Sequence, residues 1–296
     1  MEAAFSHWSA SWPVLISYVL AAGWHLVGLH RLLAANGTGT PTSRELRREA
    51  ALYQLGLLLV LLALISPVGY FAGVYIWVRA VQMLLFAVVG PGLIVVGAPW
   101  TALRLAVARA AVQAGTTTGR TSPDRQPWIV SRPVLAVVAA NVVWIGWQLP
   151  VLFDAARANS ALALAEHASY LATGLLFWLQ LISSRPLRQR VPALRRAALL
   201  VGSAAAFTVL GMMLVFGSGV LYPGYASQAH HVMTVLDDQQ LSGAVLWMGF
   251  LPPAMVAAVA LFAEWLRDEE AAELSSGLDR LLTPRRNGWP SRPVIR

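Results

Sequence analysis

The chain has 296 residues, 57% of them apolar and only 12% charged, and it contains no cysteine. A soluble domain carries about a quarter of its residues as charges, so an ordinary soluble protein is excluded. The absence of cysteine excludes disulfides, thiolate metal sites and iron–sulfur clusters. The formal charge of +8 comes entirely from arginine against acid, with no lysine. These arginines flank apolar runs, which points to the anionic lipids of an inner leaflet and away from nucleic acid.

A spanning helix needs about 20 apolar residues to cross a hydrocarbon core of about 30 Å. Seven stretches read as spans: 12–33, 52–67, 71–96, 133–149, 161–182, 197–221 and 241–265. The second and fourth are short and are expected to extend into flanking polar residues. No arginine precedes the first span, since the first is Arg31, so this span reads as retained and not as a cleaved signal. Twenty of the 22 arginines fall within 31–48, 104–132, 185–196 and 267–296. Alternating the spans puts all four clusters on one side, the positive-inside pattern. The expectation is an all-α, polytopic bundle of seven helices, N-terminus outside and C-terminus cytoplasmic, in a bacterial plasma membrane. Residues 1–266 form the membrane domain and 267–296 a charged cytoplasmic tail.

The external connections on this reading are 68–70, 150–160 and 222–240. Pro91 and the Pro252–Pro253 pair lie inside spans and predict kinks with freed carbonyls. In the internal loop, Trp100, Leu103, Leu105 and Val107 alternate with Arg104 and Arg109, as in a short helix on the inner interface. No internal repeat stands out.

An ionisable side chain in hydrocarbon costs several kcal/mol unless it is paired or hydrated. His25, Arg79, Glu166 and His167 therefore need a reason, as do Asp154, His230, His231, Asp237 and Asp238 at outer helix ends. Arg79 and Glu166 fall at similar depth, roughly 12 Å from the outer end at 1.5 Å per residue. One reading is a polar cavity open to the outside. The other is a buried salt bridge that fastens the third span to the fifth. Met83 lies one turn inward from Arg79 on the same face. A histidine–carboxylate pair beside methionines, such as Met83, Met212 and Met213, suits copper, although methionine in an apolar helix usually packs. His230, His231 and Met233 form a second candidate copper site, or a solvated loop. His25 reads as a hydrogen bond between helices, with haem ligation as the alternative.

Four motifs then carry a resemblance. Trp147-Gln148-Leu149-Pro150-Val151-Leu152-Phe153-Asp154-Ala155-Ala156 resembles the WHLPALYDAA-like motif of CtaG-type cytochrome c oxidase assembly proteins. Ala165-Glu166-His167-Ala168-Ser169-Tyr170 resembles the HALEHLSF-like motif of their next helix. Leu221-Tyr222-Pro223-Gly224-Tyr225 and Asp238-Gln239-Gln240-Leu241-Ser242-Gly243, followed by Trp247, resemble the outer loop and seventh helix. Gly90-Pro91-Gly92 through Gly97-Ala98-Pro99 is similar to the end of the third helix. The resemblance covers about residues 50–265. It implies seven helices and a part in maturing a haem–copper oxidase through delivery of copper, with oxidase subunits as partners.

The departures are chemical. The histidines of an HMxQH-like motif fall on Arg79 and Met83, with Gln82 kept. Other family histidines fall on Gln148 and Ala163, leaving His167 beside Glu166. Arg79 would repel a copper cation. Two outcomes follow. Copper moved to Met83, His167, Met212, Met213 or the His230–His231–Met233 loop; or an Arg79–Glu166 bolt replaced the metal in a scaffold or accessory subunit, the outcome favoured at that site. Gln148, Asp154, Asp238 and Gln239 complete the expected outer binding surface. The leading expectation is an assembly factor without catalysis, since no activated nucleophile, zinc motif or phosphate loop occurs. The alternative is a transporter of copper or a small solute through the cavity near Arg79.

Overall fold

A computed structural model describes residue 8 and residues 12–36, 41–103, 132–184, 191–226 and 233–282. In chain order the helices are α1 (Trp12–Asn36), α2 (Pro41–Ile65), α3 (Pro67–Phe71), α4 (Ile76–Leu84), α5 (Gly90–Val96), α6 (Pro133–Gly146), α7 (Pro150–Ala158), α8 (Ser160–Leu181), α9 (Ala193–Phe216) and α10 (Val235–Leu282). A π-helical turn, Leu85–Val89, joins α4 to α5, and a 3₁₀ turn covers Pro223–Tyr225. Six segments are long and apolar enough to cross a membrane, and a seventh results if the bent pair α6–α7 is one span. The protein is a multi-pass helical membrane protein. The central span is Ile76–Val96, with 78% of its apolar window buried against 17–33% for the others. Its neighbours therefore screen Arg79 from lipid.

Span boundaries depart from expectation where polar residues cooperate with helix. The second span begins eleven residues earlier than its apolar run, at Pro41, which suits the first helical turn. The fourth stays short and turns by 71° into α7. That segment, expected as an external loop, is helical. Leu149 is extended ahead of Pro150 (φ −63°, ψ 132°), as a residue before proline must be. Asn159 then ends α7 and caps α8, its side-chain oxygen accepting from the N–H groups of Ala161 and Leu162. The third span, expected from residue 71, begins at Ile76, and the expected 68–70 connection is the short helix α3, capped by Ser66.

Pro91 follows the π-helical turn, and the irregular backbone there is engaged: Trp178 Nε1 donates to Val88 O at 2.8 Å. This meets the requirement that backbone polar groups in a membrane be satisfied internally. Gly174 of α8 lies against this turn, where a Cβ would come within 2.4 Å of Ala87 O. Helix α10 continues without a break through Pro252–Pro253 for 48 residues. At 1.5 Å per residue that is about 72 Å, far more than a hydrocarbon core needs. The first part of the expected charged tail, through Leu282, is thus an extension of the last helix. Asp268, Glu269, Glu270 and Glu273 on it are exposed. Residues 104–131, which hold most of the expected interfacial helix, lie outside the described residues; Trp100 to Leu103 are helical.

His25 is buried between helices. Its Nδ1 lies 3.4 Å from Gln54 Nε2 of α2, and its ring packs 4.2 Å from that of Tyr53. That is the interhelical role read from its position. At the far end of the bundle Arg196 donates to Leu181 O, Val191 O and Glu264, and Trp100 Nε1 donates to Ser184 Oγ.

Candidate functional site

The site begins with α4, whose first N–H groups would be unsatisfied in a membrane. Tyr75, the residue before the helix, offers no side-chain cap. Asp238, from α10, supplies one across space: its Oδ2 accepts from Ile76 N at 2.8 Å and its Oδ1 from Trp77 N at 2.9 Å. A carboxylate on two N–H groups at a helix start gains from the local dipole as well as from the bonds. This contact sets the depth and rotation of α4, and so of Arg79 one turn on.

Arg79 is buried, and its fork is filled on both sides. Nη2 lies 2.8 Å from Glu166 Oε2, with side-chain exposures of 8% and 4% for the two residues. Nη1 donates to Phe153 O at 2.7 Å and reaches Tyr225 Oη at 3.5 Å. The guanidinium carbon lies 3.8 Å from the centroid of the Phe153 ring, a cation–π arrangement. Tyr225 Oη in turn donates to Ala72 O. Helix α7 and the 3₁₀ turn thus form a cover over the arginine.

Glu166 is also bonded by Tyr170, one turn along α8. Gln148, at the α6–α7 bend, donates Nε2 to Met83 Sδ at 3.2 Å and stands 3.4 Å from Tyr170 Oη. The hydroxyl of Tyr222 donates to Gln148 O. Arg79, Met83, Gln148 and Glu166 therefore converge, as their positions in the sequence suggested. Tyr170, Tyr222 and Tyr225 belong with them. Tyr170 was legible as the i+4 neighbour of Glu166, and the other two stand within the Leu221–Tyr225 motif. The Phe153 carbonyl left no signal in the sequence. Outside the spans, burial raises the phenol pKa of both Tyr222 and Tyr225, so both hydroxyls stay protonated and able to donate.

His167 does not face the ion pair. Its ring stacks on Phe86 at 4.8 Å, and Nε2 lies 3.2 Å from Gln82 Oε1. Gln82 Nε2 donates to Ala63 O. Asp154 holds the cover, its Oδ2 accepting from Gly224 N at 3.0 Å while Oδ1 is buried without a partner among the described residues. Gln239 clasps the 217–222 segment by accepting from Leu221 N and donating to Gly219 O. Met233 is half-buried just before α10, and His230 and His231 lie outside the described residues. Met212 and Met213 turn outward, 39% and 61% exposed, and are not near the pair.

These donors do not fit a copper ion at the convergence. The carboxylate is taken by a guanidinium and a phenol, the thioether accepts from an amide, and the imidazole bonds to Gln82. No group of three or more histidine or acidic residues with metal-site geometry occurs among the described residues.

Residues 23–268 match the protein family described as the cytochrome c oxidase caa3 assembly factor. Neither the curated proteins nor the solved structures gave a match.

Proposed function

The chain belongs to the cytochrome c oxidase caa3 assembly factor family, and from that membership we propose that it acts in oxidase assembly as a scaffold. In this reading it carries no copper at the Arg79–Glu166 site. The arginine clusters face the cytoplasm and anionic lipid, and the end bearing Asp154, Asp238 and the 3₁₀ turn faces outward toward oxidase subunits. The observation that supports it is the 2.8 Å contact between Arg79 and Glu166 inside a saturated set of hydrogen bonds. A guanidinium neutralises the carboxylate as a cation would, and it ties the central span to α8. Client docking then falls to the surface that α7, the 3₁₀ turn and the start of α10 build around this bolt.

Deletion in the native organism, followed by the reduced haem spectrum, tests the assembly role. The reading expects less assembled oxidase, restored by the intact chain and poorly by Arg79→Ala. A normal spectrum after deletion would overturn it. Copper loading of the purified protein separates the scaffold from the carrier. Intact chain and His167→Ala should hold the same copper; loss of bound copper in the variant would return the site to metal handling.

A further inference from the structure

A second feature lies behind the ion pair, on the opposite side of His167. Helices α1, α2 and α8 leave a groove of about 440 Å³ between them, lined by Tyr18, Leu61, Phe86, His167 and Ala168 among others. Its walls come from parts of four spans, Phe86 belonging to the central one, and Leu164 at its edge is 69% exposed. In a membrane such a groove takes an apolar chain. The histidine makes it selective.

The state of that histidine follows from its neighbour. Gln82 Nε2 donates to Ala63 O, which fixes Gln82 Oε1 as the atom facing His167. An amide oxygen only accepts, so His167 Nε2 carries the hydrogen. In the neutral ring Nδ1 then holds a lone pair, and it has no partner among the described residues. Ala63 lies in the last turn of α2, where carbonyls lack helical partners, so this chain of bonds is anchored in the backbone. The groove therefore offers the His167 Nδ1 lone pair, beside the hydroxyls of Ser17 and Tyr18, among apolar walls and three rings, those of Tyr18, Phe86 and His167.

The geometry points to a binding site for an alkylated hydroquinone, whose ring packs among these aromatics while a phenolic hydroxyl donates to His167 Nδ1. The alkyl chain lies along α1 and α2. A quinone of the same skeleton brings only acceptors and is disfavoured at Nδ1. The inference concerns binding alone and is independent of the assembly role.

The test uses the full purified chain in detergent micelles, with decylhydroquinone kept reduced under nitrogen and its dimethyl ether as the partner probe, titrated by native mass spectrometry. One neutral hydrogen bond predicts that the hydroquinone binds about fivefold to tenfold more tightly than the ether. His167→Phe keeps a ring against Phe86 and should erase that difference. Ala168→Trp, at an exposed position on the groove wall, should abolish binding of both probes. Equal binding of the two probes to the intact chain would overturn the site, whether or not the histidine variant folds. Undiminished binding in Ala168→Trp would overturn it too.

Discussion

Two arginine–glutamate pairs stand at opposite ends of the bundle, and they are enclosed to different degrees. Arg79 and Glu166 are both buried, with side-chain exposures of 8% and 4%. Arg196 is as deeply buried at 2%, but its partner Glu264 is 33% exposed. Both arginines also donate to backbone carbonyls, Arg79 to Phe153 and Arg196 to Leu181 and Val191. The difference lies in the carboxylate. Glu264 can hand its charge to surrounding water or headgroups, whereas among the described residues the Glu166 carboxylate has side-chain bonds from Arg79 and Tyr170 alone. The first pair is a closure that must stay complete, and the second is a peripheral fastening.

The largest effect separating the two should come from breaking the enclosed pair. Removing one partner of a buried ion pair costs about 3–5 kcal/mol, because the other charge is left without compensation. Arg79→Ala and Glu166→Ala should each show such a loss in detergent unfolding, and a change below about 1 kcal/mol would contradict the enclosure. Asp238→Ala comes next. It strips two N–H groups of α4 of their acceptor, and loss of a cap costs about 0.5–2 kcal/mol. Asp238→Asn, which keeps one acceptor oxygen, should lose less, and an equal loss would argue against capping. Glu264→Gln should cost about 1 kcal/mol or less, as partly exposed pairs do. A loss matching that of Glu166→Ala would erase the contrast.

The smallest effect concerns the cover over Arg79. Tyr222 and Tyr225 have raised pKa values through burial. A group whose folded pKa is raised contributes stability that is intact below its unfolded value and is lost as pH rises toward the folded one. For a phenol the unfolded value is about 10. Thermal stability should therefore keep the contribution of these tyrosines intact below about pH 10 and decline above it. Tyr222→Phe with Tyr225→Phe should flatten that decline, and an unchanged slope would assign it elsewhere.

The sequence showed the spans because hydrocarbon imposes its own length scale, and it showed Arg79 and Glu166 because charge at that depth demands a partner. It did not show α7. This helix is nine residues long and starts at a proline, so it looks like a loop by composition. Nor did it show that Pro252–Pro253 leave α10 unbroken, which depends on neighbours unseen in one strand of letters. Helical phase misled in another way. Met212 and Met213 lie in a spanning helix, yet α9 turns them outward, and only packing decides that. The backbone carbonyl of Phe153 is the extreme case, since every residue carries one and only the fold selects it.

The double-mutant cycle on Arg79 and Glu166 bears most directly on the idea that a guanidinium stands where a cation would bind. Unfolding of the intact chain, Arg79→Ala, Glu166→Ala and the combined variant gives the coupling. The account predicts that the combined variant loses clearly less than the sum of the single losses, because removing both charges leaves neither stranded. Additive losses would show two independent residues and contradict the bolt.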